Sequence, residues 1–178
     1  MRMKPVPDSV GNARRRRGST LVEFTMLGIP VIFLFTSVMT ASVDMWQFFT
    51  LSYAVAQTAR AAALHGISCT QNSNACQITR ANLATFFQSE AIALDTASTT
   101  MVLNDGSGAI TCNPVTSCPS SSLVFPSSGH NSVGTNSVTV SATYALTNPI
   151  FMFWPGSTGG VASHSFTVGA TSTQQILF

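Results

Sequence analysis

Charge is the scarcest commodity in this 178-residue chain: Asp, Glu, Lys and Arg together make up 8% of it, against about 25% in a typical soluble domain. So few charges argue against a free cytosolic protein and for membrane, secretion or assembly work. Charge is missing altogether from Phe24 to Val43, a run of 20 residues. The sequence also contains no internal repeat, no phosphate-cradling glycine loop and no nucleophile elbow around its many serines. The three histidines, His65, His130 and His164, are scattered, and no convergent set of acid, base and nucleophile accompanies them. An enzyme is therefore not expected, and neither is a cofactor. The four cysteines do not fall into the paired knuckles of a zinc site, so no metal is expected either.

The charges that are present are unevenly placed. Before Ser19 stand Arg2, Lys4, Arg14, Arg15, Arg16 and Arg17 with one acid, Asp8, a net of +5. From Ser19 onward Arg60 and Arg80 face Glu23, Asp44, Glu90, Asp95 and Asp105, a net of −3. No wider basic or aromatic surface follows the arginine block, which excludes a nucleic-acid footprint. The block adjoins the apolar run instead. A helix of about 20 residues spans the roughly 30 Å hydrocarbon core of a bilayer. Arginines on one flank keep that end cytoplasmic and send the rest across. A cleaved secretory signal has an apolar core of only about 7 to 15 residues closed by a small-residue site; this run is longer and has no such closure.

The junction reads Arg14-Arg15-Arg16-Arg17-Gly18-Ser19-Thr20-Leu21-Val22-Glu23-Phe24. A basic leader ends in glycine, and five residues later a glutamate and then an aromatic open the apolar helix. This pattern resembles the prepilin processing signal, which implies cleavage between Gly18 and Ser19 by a membrane prepilin peptidase. An acid at the centre of a membrane helix costs about 2.5–3.5 kcal/mol, less near its end, and such a residue usually has a partner. Cleavage would create an ammonium group on Ser19, one helical turn before Glu23. In pilins the equivalent glutamate meets the amine of an adjacent subunit, so the resemblance implies an assembly role for Glu23 and Phe24.

Farther along, Pro30 inside the apolar helix, Asp44 near its end and Ala59-Arg60-Ala61-Ala62-Ala63-Leu64-His65-Gly66 are similar to the TadE-like minor pilins (pseudopilins) of the tight-adherence (Tad/Flp) pilus system. The match covers residues 14 to 66. It implies a single-pass protein of the bacterial inner membrane, cytoplasmic at its N-terminus and periplasmic at its head, that enters a type IV-like pilus. The implied partners are the prepilin peptidase, the major pilin and other minor pilins, and the inner-membrane assembly platform. The alternative from the residues alone is an unprocessed single-span protein carrying a periplasmic binding module.

The expected fold is α+β: a leader over 1–18, a transmembrane and extended helix over 19–66, and a head over 67–178. Met45, Phe48, Phe49, Ser52, Val55, Ala56, Ala59 and Ala63 fall on one helical face, predicted to meet the head, with Thr58 elsewhere. Pro30 should kink or locally unwind the span, and Gly66 suits a helix C-cap. A second helix is expected over 77–94. Alternation predicts strands at 99–103, 137–146 and 162–168, forming an antiparallel sheet with one wet face. Residues 106–136 read as irregular loop. Of the three possible pairings of the cysteines, Cys69 with Cys76 and Cys112 with Cys118 is preferred, since each closes a short loop poor in core residues. Between the last two strands, Phe151 and Trp154 lie in an apolar connection that either folds over the core or offers a patch to a partner subunit or the bilayer surface.

Overall fold

A computed structural model describes residues 13–66, 69–71, 74–119, 122–127, 136–147 and 165–176. One helix dominates: α1, Ala13–Leu64, of 52 residues, about 78 Å long at the standard rise. It begins within the stretch read as a leader and passes through Gly18–Ser19 without a break. It also continues through Pro30, so the proline does not interrupt the span. After α1 come a small hairpin, β1 (Thr70–Gln71) with β2 (Asn74–Ala75), then α2 (Arg80–Glu90), a 3-10 turn at Thr96–Ser98, and strands β3 (Thr99–Asn104), β4 (Ala109–Cys112), β5 (Ser137–Thr147) and β6 (Ser165–Gln175). The last four form one antiparallel sheet in the order β4-β3-β5-β6. The α+β class and the single long apolar helix agree with the sequence reading.

The head is built on the second half of α1. Leu51, Ala54, Val55, Thr58, Ala59, Ala62 and Ala63 are buried there, against β5, β6 and α2. Four of the seven are alanines, which favour the helix and let its backbone approach the sheet closely. This corrects the predicted face in part: Val55, Ala59 and Ala63 are buried as expected, but its aromatic end is not. Met45, Phe48 and Phe49 are exposed, and Thr58, placed elsewhere by the apolar pattern, is fully buried. Thr58 is tolerated because its hydroxyl donates to the Ala54 carbonyl at 2.7 Å. The sheet presents Met101, Leu103, Val138, Val140, Ala142 and Leu146 to the same core, with Leu83 and Phe87 of α2 and Phe125 closing it. The other sheet face carries Thr100, Asn104, Thr111, Thr139, Ser141, Thr143, Thr171 and Thr173, as the strand registers place them. No side chain in β3 to β6 bears a formal charge.

Three boundaries differ from expectation for identifiable reasons. The second helix starts at Arg80 rather than Gln77 because residues 77–79 are engaged in backbone pairing. Ile78 N donates to His65 O, Phe125 N donates to Ile78 O, and Thr79 bridges Val124. Thr79 then caps α2, its Oγ1 accepting from Asn82 N at 3.2 Å. The helix stops at Glu90 because the chain reverses at Ala93, which adopts a left-handed φ of 66° and tucks Leu94 into the core. Finally, β6 runs to Gln175, seven residues past the predicted end of the strand, in an unbroken ladder from Ser137↔Gln175 to Thr147↔Ser165.

Residues 106–136 are not all loop, since β4 lies within them and pairs with β3. The turn between these strands is held by Asp105. Its Oδ1 accepts from Ser107 N at 3.0 Å and Ser107 Oγ at 2.5 Å, while Oδ2 accepts from Ser127 N at 2.8 Å and Ser127 Oγ at 2.6 Å. Burial pushes this carboxyl up, but the four donated bonds outweigh it and bring it down to about 2. Gly66, expected as a helix C-cap, lies two residues past the end of α1 and does not have a positive φ. It serves a close approach instead: a Cβ there would lie 3.3 Å from Pro126 Cδ.

Two outcomes are expected in equilibrium unfolding of the chain. Phe87→Ala, which truncates one of the two largest fully buried side chains among the described residues, lowers stability by about 3–5 kcal/mol. Because the Asp105 carboxyl sits below its unfolded value of about 3.9, its contribution is complete above that pH and disappears as pH falls toward 2. Asp105→Asn should therefore cost about 1–3 kcal/mol at neutral pH and flatten the loss of stability between pH ~4 and ~2.

Candidate assembly interface

The surface most in need of a partner is the first half of α1. From Thr20 onward α1 contains a segment long and apolar enough to cross a membrane, and none of its most apolar window is buried. Phe24 is 78% exposed, and its ring lies over Gly28, one turn on. The hydroxyls in this half are satisfied within the helix. Thr25 donates to Leu21 O at 2.6 Å, Ser37 to Phe33 O at 2.7 Å, Thr40 to Thr36 O at 2.8 Å and Ser42 to Val38 O at 2.8 Å. Thr36 reaches both Ile32 O and Phe33 O. A hydroxyl bonded in this way enters hydrocarbon without leaving a polar group unmatched.

Two stripes run along α1. Thr36, Thr40, Asp44 and Gln47, at steps of four, four and three, lead into the head-facing residues Leu51, Ala54, Val55, Thr58 and Ala62. Phe35, Met39, Ser42, Trp46, Phe49 and Tyr53, at steps of four, three, four, three and four, occupy the opposite side. The apolar pattern was misleading for this reason: the greasier side of the helix faces away from the head.

The sequence-derived positions fall into separate regions. Gly18 and Ser19 lie in the first two turns of α1, with Glu23 one turn after Ser19 and Phe24 beside it. The cysteines lie beyond the other end of the helix. Cys69 is bonded to Cys76 across the β1–β2 hairpin, with Cα atoms 5.3 Å apart. Cys112, the last residue of β4, is bonded to Cys118, with Cα atoms 4.3 Å apart. Among the described residues no cluster of three or more His, Cys, Asp or Glu could hold a metal ion. The His65 ring Nδ1 donates to Ala61 O at 2.9 Å, finishing the last turn of α1. His130 and His164, together with Phe151 and Trp154, lie outside the described residues.

The sequence reading missed the Asp105 clasp and the Thr79 cap, although both leave traces. Asn104-Asp105-Gly106-Ser107 is a turn signature between two strands, and a threonine ahead of a helical period is an N-cap signature. Compared as a whole, the chain matches no protein-family model, no curated protein and no solved structure.

Replacing Cys112 and Cys118 together by serine releases a loop closed over a sequence separation of 6. Thermal unfolding should show a loss of roughly 2.5 kcal/mol, the chain-entropy value for a loop of that size. A change below ~0.5 kcal/mol would mean that the 113–117 turn is held by other contacts, such as Val115 N to Thr99 O.

Proposed function

We propose that the chain is a TadE-like minor pilin, an assembly subunit of a tight-adherence (Tad/Flp) type IV-like pilus. The observation that carries this reading is the division of α1. One unbroken helix is bare and apolar from Thr20 through Val43 and packs one side against an α+β head from Leu51 on. The prepilin-like junction sits where such a subunit needs it, just ahead of the bare half.

In this mechanism the prepilin peptidase cuts between Gly18 and Ser19. The helix stays in the inner membrane with the head on the periplasmic side, where the two disulfides are chemically permitted. The new ammonium group on Ser19 and the carboxylate of Glu23 supply opposite charges one turn apart. In hydrocarbon such a pair is far more favourable together than separated. A neighbouring pilin that offers its amine to Glu23, or its carboxylate to Ser19, is drawn into register with this subunit. The major pilin, other minor pilins and the assembly platform act on the bare half of α1, and Phe24 contributes apolar contact beside the charge.

A second reading, an unprocessed single-span protein with a periplasmic binding module, is favoured by one feature. The helix runs from Ala13 straight through Gly18–Ser19, and a peptidase needs its substrate bond in an extended segment.

N-terminal sequencing after co-expression with a prepilin peptidase separates the two. The expected product starts at Ser19, and Gly18→Leu abolishes processing. Recovery of the intact arginine-rich segment alongside an active peptidase would sink the pilin reading and leave the second.

A further inference from the structure

The span and the head are separated by a short stretch of α1 that belongs to neither. Val43 ends the charge-free run, and Leu51 is the first residue fully buried in the head. Between and just beyond them stand Trp46, Phe48, Phe49 and Tyr53, with 53%, 39%, 57% and 54% of their surfaces exposed. Water is a poor environment for four exposed aromatic rings in two turns of helix.

We infer that Trp46, Phe48 and Phe49 seat in the glycerol–headgroup layer of the bilayer on the head's side, so that the head rests on the membrane surface. This rests on reading α1 as a membrane span. Distances along the helix support it. At the standard rise Trp46, Phe48 and Phe49 stand about 4.5, 7.5 and 9 Å beyond Val43, and the interfacial layer is roughly 5–8 Å thick on each side. Tyr53 stands about 15 Å beyond Val43, outside that layer and on the head's side of it. Trp and Tyr combine an apolar body with a polar tip, the property that concentrates them at this depth.

The charge pattern points the same way. The arginines that could anchor the helix to lipid phosphates, Arg14 to Arg17, are all on the other flank, and no Lys or Arg occurs between Arg17 and Arg60. The far end of the span must therefore be held by partition of the rings and not by attraction to anionic headgroups. The helix carries no Gly or Pro between Pro30 and Leu64, so the depth of the rings fixes the height of the head.

The chain contains two tryptophans, Trp46 and Trp154, so Trp154→Phe in the full chain leaves Trp46 as the reporter. The protein is reconstituted into phosphatidylethanolamine–phosphatidylglycerol vesicles, some brominated near the top of the acyl chain and others near its terminus. The expected result is blue-shifted emission, acrylamide quenching several-fold weaker than in the unfolded chain, and stronger quenching by the shallow bromines than the deep ones. These values should not change with added salt. Vesicles that float with the protein while Trp46 stays open to acrylamide would overturn this inference alone. Shielding from acrylamide without quenching by either bromolipid would overturn it too, because a second polypeptide would then cover the rings. Protein that does not float would remove both this inference and the membrane span it rests on. If Trp154→Phe does not fold, the native chain and Trp46→Phe are compared instead, and the shallow-bromine quenching should vanish with Trp46.

Discussion

A single helix with two unlike halves governs this molecule. From Thr20 through Val43 α1 is bare and apolar, and its hydroxyls are turned back onto its own carbonyls. Over its second half it is an alanine-rich core element whose packing holds the sheet and α2 together. Neither half makes sense without the other. The first would aggregate in water, and the second is too poor in large side chains to fold as an isolated amphipathic helix. The head has little besides this packing to secure it. Among the described residues this packing is joined by the Asp105 clasp, the Thr79 cap and two disulfides.

The sequence carried much of this plan because the strongest signals were local. The apolar run, the alternation in 137–146 and the change from helical to alternating period each reflect burial of one face against one neighbour. What it did not carry depended on partners distant in the chain. The face of α1 that meets the head could not be chosen by hydrophobicity, since Phe49 and Tyr53 are greasier than the Ala59 and Ala62 that the head covers. The second half of β6 was invisible for a related reason. Its inward positions Ala170, Ser172 and Gln174 lie on an edge strand and are only half buried. Selection for apolar side chains is weak there, and the strand exists through its ladder with β5.

The shortened second helix shows the same competition. Residues 77–79 have nothing against a helical conformation, but Ile78 N donates to His65 O just past the end of α1, and Ile78 O accepts from Phe125 N. Once those are made, Thr79 is the natural place for the helix to begin. The residues with the clearest chemical signal, Gly18, Ser19 and Glu23, stand apart from the head, and the chemistry proposed for them needs another molecule rather than a cavity. That is why no pocket is required to account for them.

The outward face of the sheet, studded with threonine and serine and without a single ionic group, has a further physical consequence. A neighbour meeting that face displaces no counter-ions and feels no Coulomb field from it. Whatever adheres there should hold equally well in fresh water and in brine, and should register only the shape and hydrogen bonding of the opposing surface.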